Sequence, residues 1–496
     1  MIFDIDFLPI FNIISLPCLV IVLTYFLGNI PAACHTTNLV VILCFIHNII
    51  STICNLDNVG QVKWSIIELL PGIKIEFYLE ITSLIFVAMV AVLWFITYIY
   101  SLGYFINKQQ DLHTKSFYLY MSIAIVCTTL LGLSSNLFTL FIFYELLTFS
   151  TYPLVSSSKT VSSYKAGRKY LTYLLLTSTG LFLPAIIITY VNAGSLEFIL
   201  GGIIGFDFNA LLILILLVMY VLGVAKAAVM PMHSWLPTAM VASIPVSALL
   251  HAVAVVKAGV FTLMKILFYI FDIKHLEYLV IHAWNGYNII QILTIVTIII
   301  ASLLAIKQRQ IKSVLAYSTI AQLAYCIMTL SLFSKKAIVA AIFQIVAHAV
   351  AKISLFFAAG NIQRATGITD IIGCKGLAKM MPMTILSFIV CALSIIGIPF
   401  TAGFMGKYYL IDEAIKNNHI IWPVLVTVII GSILSVCYFA PIIYKTFWCV
   451  QGENIVVKEL PIYMVLTTVM GAAIVFLLFL YANNITSYIE NLINAT

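Results

Sequence analysis

Runs of about 20 apolar residues recur along almost the whole chain, and a helix needs about 20 such residues to cross the hydrocarbon core of a bilayer. Of the 496 residues, 63% are apolar and only 9% are charged, with a mean hydropathy of +1.13. A soluble domain has about 25% charged residues. This chain cannot cover its surface with polar groups, which excludes a soluble or disordered protein. We predict an all-α, polytopic membrane protein.

The apolar runs predict about fourteen transmembrane helices with no soluble domain between them. The predicted spans are residues 8–27, 37–53, 79–105, 117–134, 136–157, 169–191, 207–240, 245–270, 287–306, 311–332, 336–360, 381–416, 421–449 and 460–484. With the N-terminus outside, the cytoplasmic loops hold fourteen Lys and Arg residues and the outer loops hold six. Because basic residues concentrate in cytoplasmic loops, we expect both termini outside a cell (inner) membrane.

Several function classes lack support in the sequence. The formal net charge of +7 is scattered along the chain, which excludes a nucleic-acid binder. The ten cysteines form no Cys-x-x-Cys pair, so we expect no metal, haem or iron–sulfur site. No nucleotide, flavin or quinone motif is present, so we expect no cofactor and assign no redox chemistry to this chain.

Charged and titratable side chains inside the predicted spans are the candidate functional residues. An ionised side chain at a helix centre costs about 2.5–3.5 kcal/mol on insertion scales. Such residues normally face a bundle interior or a water-filled cavity and mark an ion path. Lys265 lies near a span end, so we expect it to extend to the interface. The other candidates are Glu145, Lys226, His251, Lys257, His348, Lys352 and Lys407.

Helical spacing groups some of these residues. Gln344, His348 and Lys352 are four residues apart and form a stripe on one helix face. The stripe fits a proton or water track, and it also fits a hydrogen-bonded seam between helices. His251 and Lys257 are six residues apart and point roughly 120° from each other, so we expect them to contact different neighbours.

Two predicted spans are too long for single straight helices. Lys226, in span 207–240, comes shortly before two prolines, and Lys407, in span 381–416, comes shortly after Pro399. Proline removes a backbone donor and breaks the helical hydrogen-bond ladder. Interrupted helices in corresponding positions of two halves point to the ion site of a transporter. We therefore predict two broken helices, each with a lysine at the break.

Five motifs in order resemble one protein family. They are Lys226-Ala-Ala-Val-Met-Pro-Met-His-Ser-Trp-Leu-Pro-Thr-Ala-Met240, Pro245-Val-Ser-Ala-Leu-Leu-His251, Lys312-Ser-Val-Leu-Ala-Tyr-Ser-Thr319, Ala347-His348-Ala-Val-Ala-Lys352 and Gly403-Phe-Met-Gly-Lys407. Together they resemble the antiporter-like subunits shared by respiratory complex I, membrane-bound hydrogenases and Mrp-type cation/proton antiporters. The resemblance covers most of residues 110–450.

The resemblance implies an architecture and a set of roles. Helices 1–3 would occupy residues 1–116, two inverted five-helix repeats residues 117–270 and 287–449, and helix 14 residues 450–496. Glu145 would pair with Lys226. Lys257 and Lys352 would be the connecting lysines, and Lys407 the outlet lysine of the second half. His251 and His348 would be relay or water-ordering groups. Lys312 also matches a motif position of the family, but its place at a span end fits a charge-anchoring role equally well.

The chain also departs from the family pattern. Gln344 stands where many relatives have a second relay histidine, so proton transfer there would use water. Thr238 replaces a common acidic residue, and we expect no long lateral helix after the fourteenth span. His251-Ala-Val-Ala-Val-Val-Lys257 and Gly403-Phe-Met-Gly-Lys407 resemble the corresponding motifs of the Mrp D subunit most.

The resemblance leaves three functions open. The first is a proton-translocating subunit of a multisubunit sodium/proton antiporter, partnered by other hydrophobic subunits in the bilayer. The second is a proton-pumping subunit of an NADH-quinone oxidoreductase or a membrane-bound hydrogenase. The third is a non-transporting assembly scaffold. In the first two, protons would pass along Lys226, Lys257, Lys352 and Lys407 as changes of charge at one lysine affect the next.

Overall fold

Helices dominate the computed structural model, which describes residues 8–55, 63–70, 72–106, 112–158, 160–283, 288–416, 421–448 and 459–495. Within these ranges, twelve helices are long and apolar enough to cross a membrane. The prediction of an all-α, polytopic membrane protein is confirmed. The count of fourteen spans stays a prediction.

The helices follow the apolar runs closely. In chain order they are α1 (Leu8–Leu27), α2 (Pro31–Cys54), α3 (Ile81–Tyr104), α4 (Leu112–Gly132), α5 (Leu137–Val155), α6 (Val161–Ala193), α7 (Ala210–Gly223), α8 (Trp235–Thr238), α9 (Ile244–Tyr269), α10 (Ile273–His282), α11 (Ile289–Ile306), α12 (Ile311–Leu330), α13 (Lys335–Thr366), α14 (Leu377–Met380), α15 (Pro382–Ile396), α16 (Ala402–Lys416), α17 (Ile421–Trp448), α18 (Ile462–Leu480) and α19 (Ala482–Ala495). Single π-helical turns interrupt α6 at Ser178–Phe182 and α9 at Leu249–Val253.

Three helices form the centre of the bundle. α9 is buried along its whole length, and α12 and α13 are buried over most of theirs. The peripheral helices α1, α2, α17 and α18 instead expose large apolar side chains. A helix that is apolar all round is either buried in protein or faces lipid, and both cases occur here. The polar residues in the middle of α9, α12 and α13 therefore lie inside the protein.

A β-hairpin lies in the polar interval between the predicted spans 37–53 and 79–105, for which the sequence predicts no regular structure. Strand β1 (Lys63–Leu70) pairs antiparallel with β2 (Ile73–Tyr78). Gly72 in the turn has φ +79°, a left-handed conformation that glycine adopts without steric cost. Phe77 of β2 forms a β-bridge with Ser134, next to the end of α4. The hairpin thus packs onto one end of the bundle, which we call the hairpin face.

Further bridges extend the hairpin face. Asn136 pairs with Glu197, and Ile204 pairs with Phe271 just after α9. Asn136 also caps α5, because its side chain accepts from the Thr139 N–H at 2.8 Å. The start of α5, the loop after α6 and the end of α9 therefore meet at this end of the bundle.

Both predicted breaks are present. α7 ends at Gly223, and a 3₁₀ turn at Ala225–Ala227 holds Lys226, followed by Ala228 with φ +56°. α15 ends at Ile396 and is followed by Gly397 with φ +89°, and α16 begins at Ala402. Each break places a lysine next to non-helical backbone.

Some predictions on the layout remain untested. The inverted repeats and the boundaries at 116/117, 270, 287 and 449/450 stay predictions, and residues 287, 449 and 450 lie outside the described ranges. Among the basic residues counted for orientation, Lys108, Lys159 and Lys458 also lie outside them. α19 is a separate C-terminal helix that the sequence analysis did not predict.

Candidate functional site

Lys226 is held by one helix of the first half. Its side chain is completely buried. The Nζ atom donates to the Tyr144 carbonyl at 2.5 Å and to the Thr148 hydroxyl at 2.6 Å, both on α5. It also lies 3.2 Å from the centre of the Tyr144 ring, where a cation is attracted to the π face. Neutral groups therefore satisfy this amine.

Tight backbone packing fixes the turn around Lys226. A Cβ atom on Gly259 of α9 would lie 2.3 Å from the Ala227 nitrogen and 2.5 Å from the Lys226 carbonyl carbon. The Trp235 indole N–H donates to the Ala225 carbonyl at 2.9 Å. The missing glycine side chain lets α9 contact the broken segment directly, and the indole gives the Ala225 carbonyl a second donor besides the Ala228 N–H.

Glu145 lies on the same helix as the groups that hold Lys226. Its two carboxylate oxygens are buried and have no hydrogen-bond partner in the part of the chain that the structure describes. It lies within electrostatic reach of Lys226, but the described ion pairs do not include these two residues. The carboxylate and the amine are near each other without contact.

Lys257 and His348 meet at the centre of the bundle. Lys257 of α9 forms a hydrogen bond between its Nζ and the Nδ1 atom of His348 on α13, and both side chains are buried. His348 Nε2 has no partner among the described residues. One turn further along α13, the Lys352 Nζ donates to the Leu315 carbonyl at 3.0 Å. Two predicted site residues from distant segments are thus in direct contact.

His251 lies in the π turn of α9. Both of its ring nitrogens lack a hydrogen-bond partner within the described ranges, and its ring centre is 5.1 Å from that of Phe356. It lies within electrostatic reach of Lys257, Lys312 and Lys352. As predicted, His251 and Lys257 contact different neighbours, Phe356 and His348.

Lys312 lies where α12 begins, and its Nζ donates to the Ala242 carbonyl at 2.6 Å. A cavity of about 200 Å³ beside it is lined by polar and apolar groups, including Gln310, Gln363 and Thr369. The contact with Ala242 is compatible with an anchoring role, because it joins α12 to the segment that precedes α9.

Lys407 lies in the second turn of α16, and its side chain reaches back to the second break. Its Nζ donates to the Ile396 carbonyl at 2.7 Å and to the Ser432 hydroxyl at 2.9 Å. A Cβ atom on Gly397 would lie 2.8 Å from the Lys407 Cδ, so the glycine makes room for this side chain. As at Lys226, a carbonyl and a hydroxyl hold a buried amine at a broken helix.

The polar stripe of α13 faces the interior. Gln344 accepts from the Thr329 hydroxyl at 3.0 Å, and a Cβ atom on Gly406 would lie 3.2 Å from its Cγ. His348 contacts α9, and Lys352 contacts α12. The stripe runs from Lys352 to Gln344, which packs against Gly406, the residue before Lys407.

The prediction for Lys265 was wrong. Its side chain is only 2% exposed and pairs with Glu80 instead of reaching the interface. Glu80 was missed because it lies at the edge of a predicted span, where a carboxylate is usually solvated. Its contact with Lys265 joins residues 185 positions apart, which no local pattern indicates.

Curated relatives include antiporter and oxidoreductase subunits. The A1-subunit of an Na(+)/H(+) antiporter from Staphylococcus haemolyticus (strain JCSC1435) is 28% identical, with 84% of this chain and 54% of the relative covered. The A-subunit of an Na(+)/H(+) antiporter from Alkalihalophilus pseudofirmus is also 28% identical, with 95% and 61% covered. A chloroplastic NAD(P)H-quinone oxidoreductase subunit 5 from Ipomoea purpurea is 30% identical, with 79% and 55% covered. The chain thus spans about half to three fifths of the length of these relatives.

Solved structures share the fold over nearly the whole chain. A chain of the Mrp complex from Dietzia sp. DQ12-45-1b superposes with a TM-score of 0.83 at 20% identity, covering 98% of this chain and 96% of that one. A chain of respiratory complex I from Thermus thermophilus gives 0.75 at 20% identity, covering 96% and 98%.

A family model places these likenesses in one group. The model for the transmembrane region of NADH:quinone oxidoreductases and Mrp antiporters matches residues 134–435, more than half of the chain. This range contains Glu145 and the buried lysines at 226, 257, 265, 352 and 407. The resemblance drawn from the motifs is therefore confirmed, and the chain belongs to the NADH:quinone oxidoreductase/Mrp antiporter transmembrane family.

Proposed function

We propose that this chain is the proton-translocating membrane subunit of a multisubunit monovalent cation (sodium)/proton antiporter in the cell membrane. The observation that carries the proposal is the file of buried amines Lys226, Lys257, Lys352 and Lys407. Within the described ranges, neutral acceptors hold them, and none is ion-paired with a carboxylate. The curated relatives named as Na(+)/H(+) antiporter subunits support the same assignment.

Neutral acceptors suit proton transfer between buried amines. A carbonyl or hydroxyl oxygen accepts a hydrogen bond from an amine whether the amine is charged or neutral. A buried amine without a counterion favours its neutral form, and a nearby carboxylate favours the charged form. Movement of Glu145 toward Lys226 would retain the proton on Lys226, and movement away would release it. The two residues act through charge at a distance, since they are not in contact.

The route continues through the centre of the bundle. A proton released from Lys226 passes to neutral Lys257, which shares a hydrogen bond with His348. From there it passes to Lys352 and, past Gln344, to Lys407. His251 adds a neutral acceptor among the amines. Each step moves a proton between nitrogen atoms or through water, and no other bond changes.

The layout from the sequence supports this mechanism. We propose that residues 117–270 and 287–449 are the two repeats, each contributing one broken helix with its lysine. We also propose that the chain works in contact with other hydrophobic subunits and lacks enzymatic activity of its own. The D-subunit assignment stays a prediction, because the curated relatives named above are of the A and A1 types and the subunit 5 type.

The second candidate function is a proton-pumping subunit of a redox complex. The 30% identity to an oxidoreductase subunit 5 favours it. It shares the amine file with the antiporter and differs in the source of energy and in the partners.

We expect the intact assembly, purified from membranes and reconstituted in vesicles, to exchange sodium for protons without a redox substrate. The measurement is the decay of a pH gradient, followed by a fluorescent dye after addition of Na⁺ or K⁺. Co-purification of small hydrophobic subunits is expected. Co-purification of flavin or iron–sulfur subunits, with proton movement only after addition of NADH or another electron donor, would support the redox complex instead.

We also expect the hairpin face to lie outside the cell. In a variant with all native cysteines replaced by serine, Lys63→Cys on the exposed hairpin should react with a membrane-impermeant maleimide in intact cells. Lys307→Cys, exposed after α11 in a predicted cytoplasmic loop, should react only after the cells are opened. The reverse pattern would contradict the predicted orientation.

A further inference from the structure

A second polar site lies eight residues beyond Lys257 on the same helix. Lys265 of α9 pairs with Glu80, which immediately precedes α3. Tyr269, one turn further on, donates its hydroxyl to the other carboxylate oxygen of Glu80. The Thr82 hydroxyl donates to that same oxygen at 2.9 Å. This cluster contains the one described ion pair in which both side chains are almost fully inaccessible, at 2% for Lys265 and 11% for Glu80.

The pair lies between the central amines and the hairpin face. Eight residues of helix separate Lys257 from Lys265 by about 12 Å along the helix axis. Beyond Lys265, α9 ends at Tyr269 and the chain enters the bridges of the hairpin face. Glu80 follows directly after strand β2. The lysine is the inner member of the pair, and the carboxylate is the outer and more accessible one.

An aromatic contact separates the two lysines. Phe261, one turn from each of them on α9, stacks on Phe86 of α3 with ring centres 4.3 Å apart. Thr262 beside it has a buried hydroxyl with no hydrogen-bond partner in the described part of the chain. A passage between Lys257 and Lys265 therefore crosses this aromatic pair, and the Thr262 hydroxyl is the polar group next to it.

We propose that Lys265 and Glu80 form a proton-exchange site between the first repeat and the water at the hairpin face, in addition to the route through Lys407. This inference rests on the proposed function. The Lys265 ammonium gives a proton to the Glu80 carboxylate, which leaves a neutral amine and a carboxylic acid. The acid then releases the proton to water, and the amine takes the next proton from Lys257 through the passage beside Phe261.

A structural role is the competing explanation for the pair. Lys265 and Glu80 connect α9 with the start of α3, and removal of one partner of a buried ion pair leaves a costly unpaired charge. The double variant Glu80→Gln/Lys265→Gln removes both charges together and retains polar side chains. The variant Glu80→Asp retains the carboxylate, and Glu197→Gln removes a carboxylate from the exposed Lys63–Glu197 pair on the same face.

The test measures exchange by the reconstituted complex at several pH values on the hairpin side. A positioned proton-transfer group contributes about 10²–10⁴-fold, so we expect the double variant to lose at least about tenfold in rate and to change its pH profile. Glu80→Asp should recover part of the rate, and Glu197→Gln should behave as wild type. The titratable groups around Glu80 are Lys265, Tyr269 and Tyr78, so Tyr78→Phe and Tyr269→Phe controls complete the profile.

Two outcomes would overturn the inference. One is a double variant with wild-type exchange and an unchanged pH profile. The other is a lower thermal stability with a wild-type rate per assembled molecule, which indicates a structural pair. Both are distinguishable from failure of the proposed function, in which the wild-type complex itself does not exchange cations for protons, or Lys226→Ala exchanges them normally.

Discussion

Replacement of Lys226 by alanine is expected to abolish cation/proton exchange while the complex still assembles. The substitution removes the first amine of the file, so a proton has no acceptor beside Tyr144 and Thr148. The expected loss is about 10²-fold or more, the range for removal of a positioned proton-transfer group. Exchange is measured in vesicles that contain the reconstituted complex, with the amount of assembled protein determined in parallel.

The fold should tolerate this change. The Tyr144 carbonyl loses one donor but still accepts from the Thr148 hydroxyl at 3.4 Å, so it does not become an unsatisfied buried acceptor. The cost of burying an amine is removed at the same time. Lys226→Met, which fills a similar volume without charge, separates packing from proton transfer and should be equally inactive. Lys336→Ala, at an exposed surface ion pair with Glu490, is the matched control and should be fully active.

Glu145→Gln tests whether the Glu145 carboxylate controls the proton on Lys226. Since the carboxylate has no hydrogen bond in the described structure, its replacement removes charge and little else. We expect a loss of exchange similar to that of Lys226→Ala. Normal exchange in both variants, with normal assembly, would reject the roles proposed for these residues.

Substitution of Gly259 by alanine is expected to affect both stability and transport. The added Cβ would lie 2.3 Å from the Ala227 nitrogen and 2.5 Å from the Lys226 carbonyl carbon. Both are backbone atoms, so α9 or the 3₁₀ turn must move, and overpacking of this kind costs about 1–3 kcal/mol. The movement shifts Lys226 away from its two acceptors on α5, so exchange should fall as well.

Gly180→Ala is the matched control for this change. Gly180 lies in the π turn of α6, and an added Cβ would meet nothing within 4 Å. Alanine there should leave the midpoint of thermal unfolding unchanged or slightly raised, because it restricts the unfolded chain more than glycine does. If Gly259→Ala unfolds at the wild-type temperature and transports normally, the close contact between α9 and the turn has no role in holding Lys226.

The transmembrane architecture could be predicted from local patterns. Hydrophobic length located the spans because each helix satisfies its backbone polar groups internally and contacts lipid or other apolar surfaces. Proline and glycine located the breaks at Ala225–Ala227 and after Gly397 for the same local reason. Lysines within apolar runs predicted a buried polar interior, since burial of charge is too costly to occur without a use or a partner.

The partners of the buried charges could not be predicted in this way. Every helix offers carbonyls and hydroxyls, so the sequence did not indicate that Tyr144 and Thr148 would hold Lys226. The same applies to the contact of Lys257 with His348. The hairpin at 63–78 could not be predicted either, because its strands are short and half polar.

The partner of Lys265 could not be predicted from its position in the sequence. Its position near a helix end indicated an interfacial side chain, yet it is buried against Glu80. Hydropathy and spacing report how a segment relates to solvent and lipid, which is a property of the segment alone. Which amine meets which acid depends on how helices distant in the chain pack together, and only the assembled bundle decides that.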